Sequence, residues 1–134
     1  MKVQQVSDQN FNGSLKWVNA TGDVQDLTQA LVPKIKSYYL EMKDLVADKP
    51  YDLFVSKPNE IDGFYKLDAN VNYENILNGD KTVKGKSVIV NENYPERLPV
   101  GAMDAMLSFE RASAYSELNK PEGFFQMLWR YIRG

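Results

Sequence analysis

Tyr51-Asp52-Leu53-Phe54-Val55-Ser56-Lys57-Pro58-Asn59-Glu60-Ile61-Asp62-Gly63-Phe64-Tyr65-Lys66-Leu67-Asp68-Ala69-Asn70-Val71-Asn72-Tyr73 is the stretch on which the fold turns. In its first arm Tyr51, Leu53 and Val55 alternate with Asp52 and Ser56, and aromatic and β-branched residues suit a pleated, half-buried surface. Pro58 to Gly63 is turn chemistry. The second arm sets Tyr65, Leu67, Ala69, Val71 and Tyr73 against Lys66, Asp68, Asn70 and Asn72, so a slip of one residue would turn the apolar set to water. Two antiparallel strands joined by a turn are expected. Downstream, the turn-rich patch Asn75 to Asp80 leads into Thr82–Asn91, whose Val88-Ile89-Val90 centre predicts a further strand. Upstream, Phe11, Gly13, Leu15 and Trp17 alternate with Asn12, Ser14 and Lys16, and Asn19-Ala20-Thr21-Gly22 supplies turn residues, which places another strand there.

Between these strands, Val24, Leu27, Leu31, Ile35, Tyr38, Met42 and Leu45 recur at spacings of three and four, the stripe of one helix of about six turns. Asp23 is its expected N-cap and Asp48-Lys49-Pro50 its end, while Pro33 predicts a kink or restart near Val32. Asn91 to Gly101 carries two prolines without periodicity and reads as a loop. Ala102 to Leu118 reads as a helix apolar on two sides, Met103, Met106, Leu107, Ala114 and Leu118 on one and Ala102, Ala105, Phe109 and Ala112 on the other, as expected of a helix between two neighbours. Pro121-Glu122 suits the first turn of a last helix running to about Ile132.

The resulting order, β-α-β-β-β-α-α, predicts an α+β fold: an antiparallel sheet of about four strands with the helices packed on one face. It resembles a ferredoxin-like arrangement in which the final strand is replaced by a helix. Residues 1–10 are expected to be a flexible N-terminal segment, and residues 11–134 to form a single domain.

Composition narrows the chemistry. The 134 residues contain no histidine and no cysteine. A histidine base, a cysteine nucleophile, a zinc finger and a disulfide staple are therefore all excluded. What remains is chemistry by carboxylate, lysine, tyrosine or hydroxyl, or binding alone. A hydrophobic share of 43% with 12% aromatic residues is the composition of a packed chain. A chain of this length buries roughly two thirds of its unfolded surface without help from metal or disulfide. A net charge of -2 gives no long-range attraction to phosphate backbones, so nucleic acid is not an expected partner. The start Met1-Lys2-Val3-Gln4-Gln5-Val6-Ser7-Asp8 lacks a signal peptide's apolar run and no later run spans a bilayer, so a cytoplasmic location without a membrane span is expected. On that reading the glycosylation patterns Asn12-Gly13-Ser14 and Asn19-Ala20-Thr21 are coincidental.

Four motifs come close and fall short. Gly79 to Ser87 imitates a phosphate-binding loop but has five residues between its glycines and leads into a strand rather than a helix. Asp68-Ala69-Asn70-Val71-Asn72 opens like a calcium loop, yet Tyr73 stands where glycine is required and Gly79 where a bidentate glutamate belongs, so its polar residues read as the wet face of a strand. Lys81, Lys84 and Lys86 near Tyr94 lack the aromatic pattern of an RNA-binding sheet. Carboxylate pairs such as Glu60 with Asp62 or Glu110 with Glu117 have no separation that sequence spacing can fix. Glu110 stands out, because a helical wheel sets it among Met103, Met106, Leu107 and Ala114, with Arg111 or Arg130 as expected charge partners. The last helix gathers Phe124, Phe125, Leu128, Trp129 and Ile132 on one side.

These residues predict a non-catalytic interaction or regulatory domain that acts through a sheet edge, the 91–101 loop or the aromatic C-terminal helix. Phe124, Phe125, Trp129, Tyr94 and Arg130 are its candidate contact residues, the partner being another protein or a second copy of the chain. No cofactor or metal is expected. The alternative is a small carboxylate-dependent hydrolase or small-molecule binder with Glu110 near its site.

Overall fold

The computed structural model describes residues 12–30, 32–78 and 85–118, with the side chains of 115–118 excepted. The fold is α+β, built on an open five-stranded sheet: β1 (Leu15–Val18), β2 (Val24–Asp26), β3 (Asp52–Ser56), β4 (Phe64–Asn70) and β5 (Val88–Asn91). The helices are α1 (Tyr39–Val46), α2 (Tyr73–Asn78) and the long α3 (Leu98–Leu118).

The strand order is β2-β1-β3-β4-β5, and the sheet is mixed rather than antiparallel, because β1 and β3 run parallel with Leu15 beside Leu53 and Trp17 beside Val55. Parallel neighbours require a crossover, and residues 19–51 supply it. A connection of that length containing helix was the sequence signal for parallel pairing. The expected hairpin of β3 and β4 is present, with Leu53 opposite Ala69 and Val55 opposite Leu67, and β5 continues it with Tyr65 opposite Val90. Since β1 and β3 are direct neighbours, the strand that a split βαβ unit places between its parallel pair is missing, and the ferredoxin-like resemblance does not hold.

The segment expected to form one helix from Val24 to Val46 breaks into four pieces. Val24–Asp26 pairs with β1 through a turn in which Asn19 Oδ1 accepts from the Thr21 and Asp23 amides and Gly22 takes φ +91°. The Asp26 side chain, rather than Asp23, caps a 3₁₀ turn over Leu27–Gln29. Pro33 then opens a second 3₁₀ turn after Val32, the restart its fixed φ demands, and α1 follows from Tyr39. The apolar spacing nevertheless marks the core: Leu27, Ile35 and Met42 are fully buried, whereas Val24, on the edge strand, is exposed.

Helices lie on both faces of the sheet, not one. Leu15, Leu53, Val55, Leu67, Ala69 and Val90 point to the side on which α1 and α3 pack, forming the main core with Ala102, Ala105, Met106 and Phe109 of α3. Val18 and Phe54 point the other way, where Ile76 and Tyr73 of α2 cover them. This second layer corrects another expectation. Asp68 and Asn70 are not a wet face, for they are 6% and 0% exposed. The chain turns at Val71 and places α2 over the strand end in a stretch rich in turn-forming residues. Finally, α3 starts at Leu98, with Pro99 in its first turn where no amide donor is needed, so most of the expected 91–101 loop is a short turn, a 3₁₀ turn at Pro95–Arg97 and helix.

Candidate functional site

Glu110 is half-buried and fastened at the edge of the packing. The hydroxyl of buried Tyr51 donates to Glu110 Oε2, and Lys49 Nζ lies 3.7 Å from the same oxygen. Tyr51 meets Phe109 edge-on, with ring centroids 4.9 Å apart at 64°. The carboxylate thereby ties the end of the α1–β3 connection to α3, and its charge partner is Lys49 rather than the expected Arg111 or Arg130. With a tyrosine hydroxyl and a lysine ammonium on one oxygen, the carboxylate acts as a strap between elements.

Several other polar centres among the described residues are engaged as well. On the α2 side, Asp68 accepts from Ser87 Oγ, and Lys66 Nζ stands 3.8 Å from its other oxygen. Asn70 Oδ1 accepts from the Val71 amide at 2.8 Å and from Asn75 Nδ2 at 3.0 Å. Burial pushes the Tyr73 hydroxyl above its usual range, with the charge of Asp68 acting the same way. Asp52 accepts the Ser14 amide at 2.8 Å, but loss of solvent dominates and holds its carboxyl above the ordinary carboxylate range. Glu92 is held below that range by the hydrogen bond from Lys57, whose Nζ is 2.5 Å from Oε1, with Lys34 at 4.0 Å from Oε2. Glu60 and Asp62 sit exposed in the β3–β4 turn. Among the described residues, no group of three or more Asp or Glu is placed to hold a metal ion.

Among the described residues, one side of α3 forms a surface without an internal use. α3 is enclosed on three sides. Leu98, Ala102, Ala105, Met106 and Phe109 press on the sheet. Glu110 meets Lys49 and Tyr51 beside α1. The segment before β5 crosses the helix, the Lys86 amide donating to Ser108 Oγ at 2.6 Å while Gly85 lies so close that a Cβ there would stand 2.5 Å from the Phe109 amide nitrogen. The fourth side carries Val100, Met103 and Leu107, spaced by three and four, at 61%, 47% and 47% exposure. Just before the helix, exposed Tyr94 receives the Arg97 guanidinium over its ring, 5.0 Å from the centroid.

Of the residues singled out from sequence, Tyr94 stands exposed just ahead of the 3₁₀ turn that leads into α3, Glu110 lies on α3 itself, and Phe124, Phe125, Trp129 and Arg130 fall outside the described residues. Val100 was missed because it was assigned to a loop. Pro99 held the signal, since a helix opened by a proline in its first turn places Val100 in line with Met103 and Leu107. Compared with protein-family models, curated proteins and solved structures, the chain matches none.

Proposed function

We propose that this chain is a non-catalytic protein-interaction module whose contact surface is the open side of α3, with Tyr94 and Arg97 at its N-terminal end. The observation that supports it is the line of Val100, Met103 and Leu107, three large apolar side chains left to solvent on a helix enclosed elsewhere. Scattered exposed apolar residues need no explanation, but a stripe at helical spacing rimmed by Asp104 and Arg111 has the pattern of a face that receives another helix. Tyr94 and Arg97 add residue types enriched at interface anchors. The hydrolase alternative finds little support, since Glu110 is committed to Tyr51 and Lys49.

The test replaces Val100 with a photo-crosslinking residue in cells that naturally produce the chain. The expected outcome is one discrete adduct that Tyr94→Ala weakens and Glu110→Gln leaves intact. Absence of any adduct, or hydrolysis of simple esters or glycosides that Glu110→Gln abolishes, would overturn the reading.

A further inference from the structure

We propose that the occupant of this face is a second copy of the chain, paired antiparallel, α3 on α3, about a two-fold axis beside Leu107. The inference rests on the preceding reading in taking the open side of α3 as a contact surface, and it goes further by committing to what covers it.

Charge on the face itself points to that occupant. Val100, Asp104, Leu107 and Arg111 follow one another at spacings of four, three and four, so they share one side of α3, and all four are exposed. Among the described residues, no ion pair involves Asp104 or Arg111. An acid and a base thus flank one large apolar residue, about 10 Å apart along the helix and out of each other's reach. An isologous contact pairs a patch with itself, and this patch is self-complementary. Turned end for end about a point just past Leu107, it brings Asp104 level with Arg111 of the second copy, and Arg111 level with the other Asp104. The same rotation sets the two Leu107 side chains beside each other at the centre. It also brings Val100 within one residue of the level of Ala114 on the second copy, a small residue that leaves room for it.

Other arrangements lose this match. Parallel pairing would set Asp104 beside its own copy and Arg111 beside its own copy, and an antiparallel pair centred between Met103 and Asp104 would bring two aspartates together. A contact of about three helical turns covers less than the roughly 800 Å² per partner of a stable dimer, so the pair dissociates in the micromolar range and the face is open to solvent in dilute solution.

Charge reversal tests the pairing in the full chain, by sedimentation velocity from about 1 to about 500 μM protein at low salt. Asp104→Arg and Arg111→Asp each turn both ion pairs into repulsions, and each is expected to weaken self-association at least about tenfold. An equimolar mixture of the two variants restores both attractions, since one copy brings two bases and the other two acids. It is expected to associate about as tightly as wild type although neither variant pairs with itself, a recovery that also shows both to be folded. A wild-type chain that stays monomeric through this range, or a mixture no better than its components, would overturn the inference. The absence of cysteine gives an independent readout of register. The two copies of Leu107 meet at the axis, whereas those of Val100 stand about 22 Å apart, and a disulfide requires Cα atoms within about 7 Å. Under mild oxidation Leu107→Cys is expected to form interchain disulfides at least about tenfold faster than Val100→Cys, and equal rates would overturn the pairing. The photo-adduct at Val100 separates this inference from the reading beneath it. An adduct of two chains upholds both, an adduct to a different protein with wild type monomeric upholds the contact surface and overturns the second copy, and no adduct with a monomeric chain defeats both.

Discussion

Gly101→Ala isolates the seat of α3 on the sheet. Glycine inside a helix is ordinarily a weakness, and alanine there adds about 1 kcal/mol of helix propensity. Here the gain is opposed, because a Cβ on residue 101 would stand 2.7 Å from Val90 Cγ2 and 3.5 Å from Val88 Cγ1. Val90 is buried on β5 and β-branched, so its methyl cannot rotate away cheaply. Overpacking of this kind costs about 1–3 kcal/mol, and the net effect is a loss of about 1 kcal/mol, or about 4 °C in Tm for a chain of this size. The sign should reverse in a Val90→Ala background. Val90→Ala alone removes two methyl groups at about 0.8 kcal/mol each plus a cavity term, and the methyl that Gly101→Ala adds would refill part of that space while keeping its propensity gain. Urea and thermal unfolding of the four proteins form a double-mutant cycle with an expected coupling of about 1–2 kcal/mol. A Gly101→Ala variant more stable than wild type, or effects additive within about 0.5 kcal/mol, would refute the packing of α3 against β5.

Ile35, fully buried in the crossover, gives a second test: Ile35→Asp places an unpaired charge in the main core and is expected to cost more than about 4 kcal/mol, read as loss of the cooperative melt. Asp52 gives a pH test. Burial raises its carboxyl above the unfolded value, so the folded state binds the extra proton, and this contribution is fully present below the unfolded pKa and lost as pH rises through the folded one. Asp52→Asn, which keeps an acceptor for the Ser14 amide, should equal or exceed wild-type Tm at pH 7 and flatten the Tm-versus-pH profile through and just above the ordinary carboxylate range. An unchanged profile would show that Asp52 is not desolvated.

Period and polarity made the core and the central hairpin legible. Alternation identified Leu53, Val55, Leu67 and Ala69, and the three-to-four spacing found Leu27, Ile35 and Met42 even though those residues fall on two 3₁₀ turns and a short helix rather than on one helix. Apolar spacing reports which side chains go inward, whereas the backbone is also governed by Pro33 and by edge pairing of Val24–Asp26, a strand too short to carry a period. Asp68 and Asn70 were misread because polar residues on one side of a strand look the same under water as under a helix such as α2. At the site, Glu110 was legible as a carboxylate set among apolar neighbours on its helix, but its tie to Tyr51 spans 59 residues and leaves no local trace. Met103 and Leu107 were recognised as apolar, while their exposure depends on what packs against α3 and not on α3 alone.

Met103 and Met106 allow the most direct measurement of the central claim, since they lie on one helix three residues apart, Met103 on the open side and Met106 buried against the core. Brief peroxide treatment followed by mass spectrometry gives the two sulfoxide rates in the purified chain and in the cells that naturally produce it. A contact surface in use predicts that Met103 oxidises much faster than Met106 in isolation and slows toward the Met106 rate in the cell. A Met103 rate that, relative to Met106, is the same in both settings would contradict the assignment of this face to a partner.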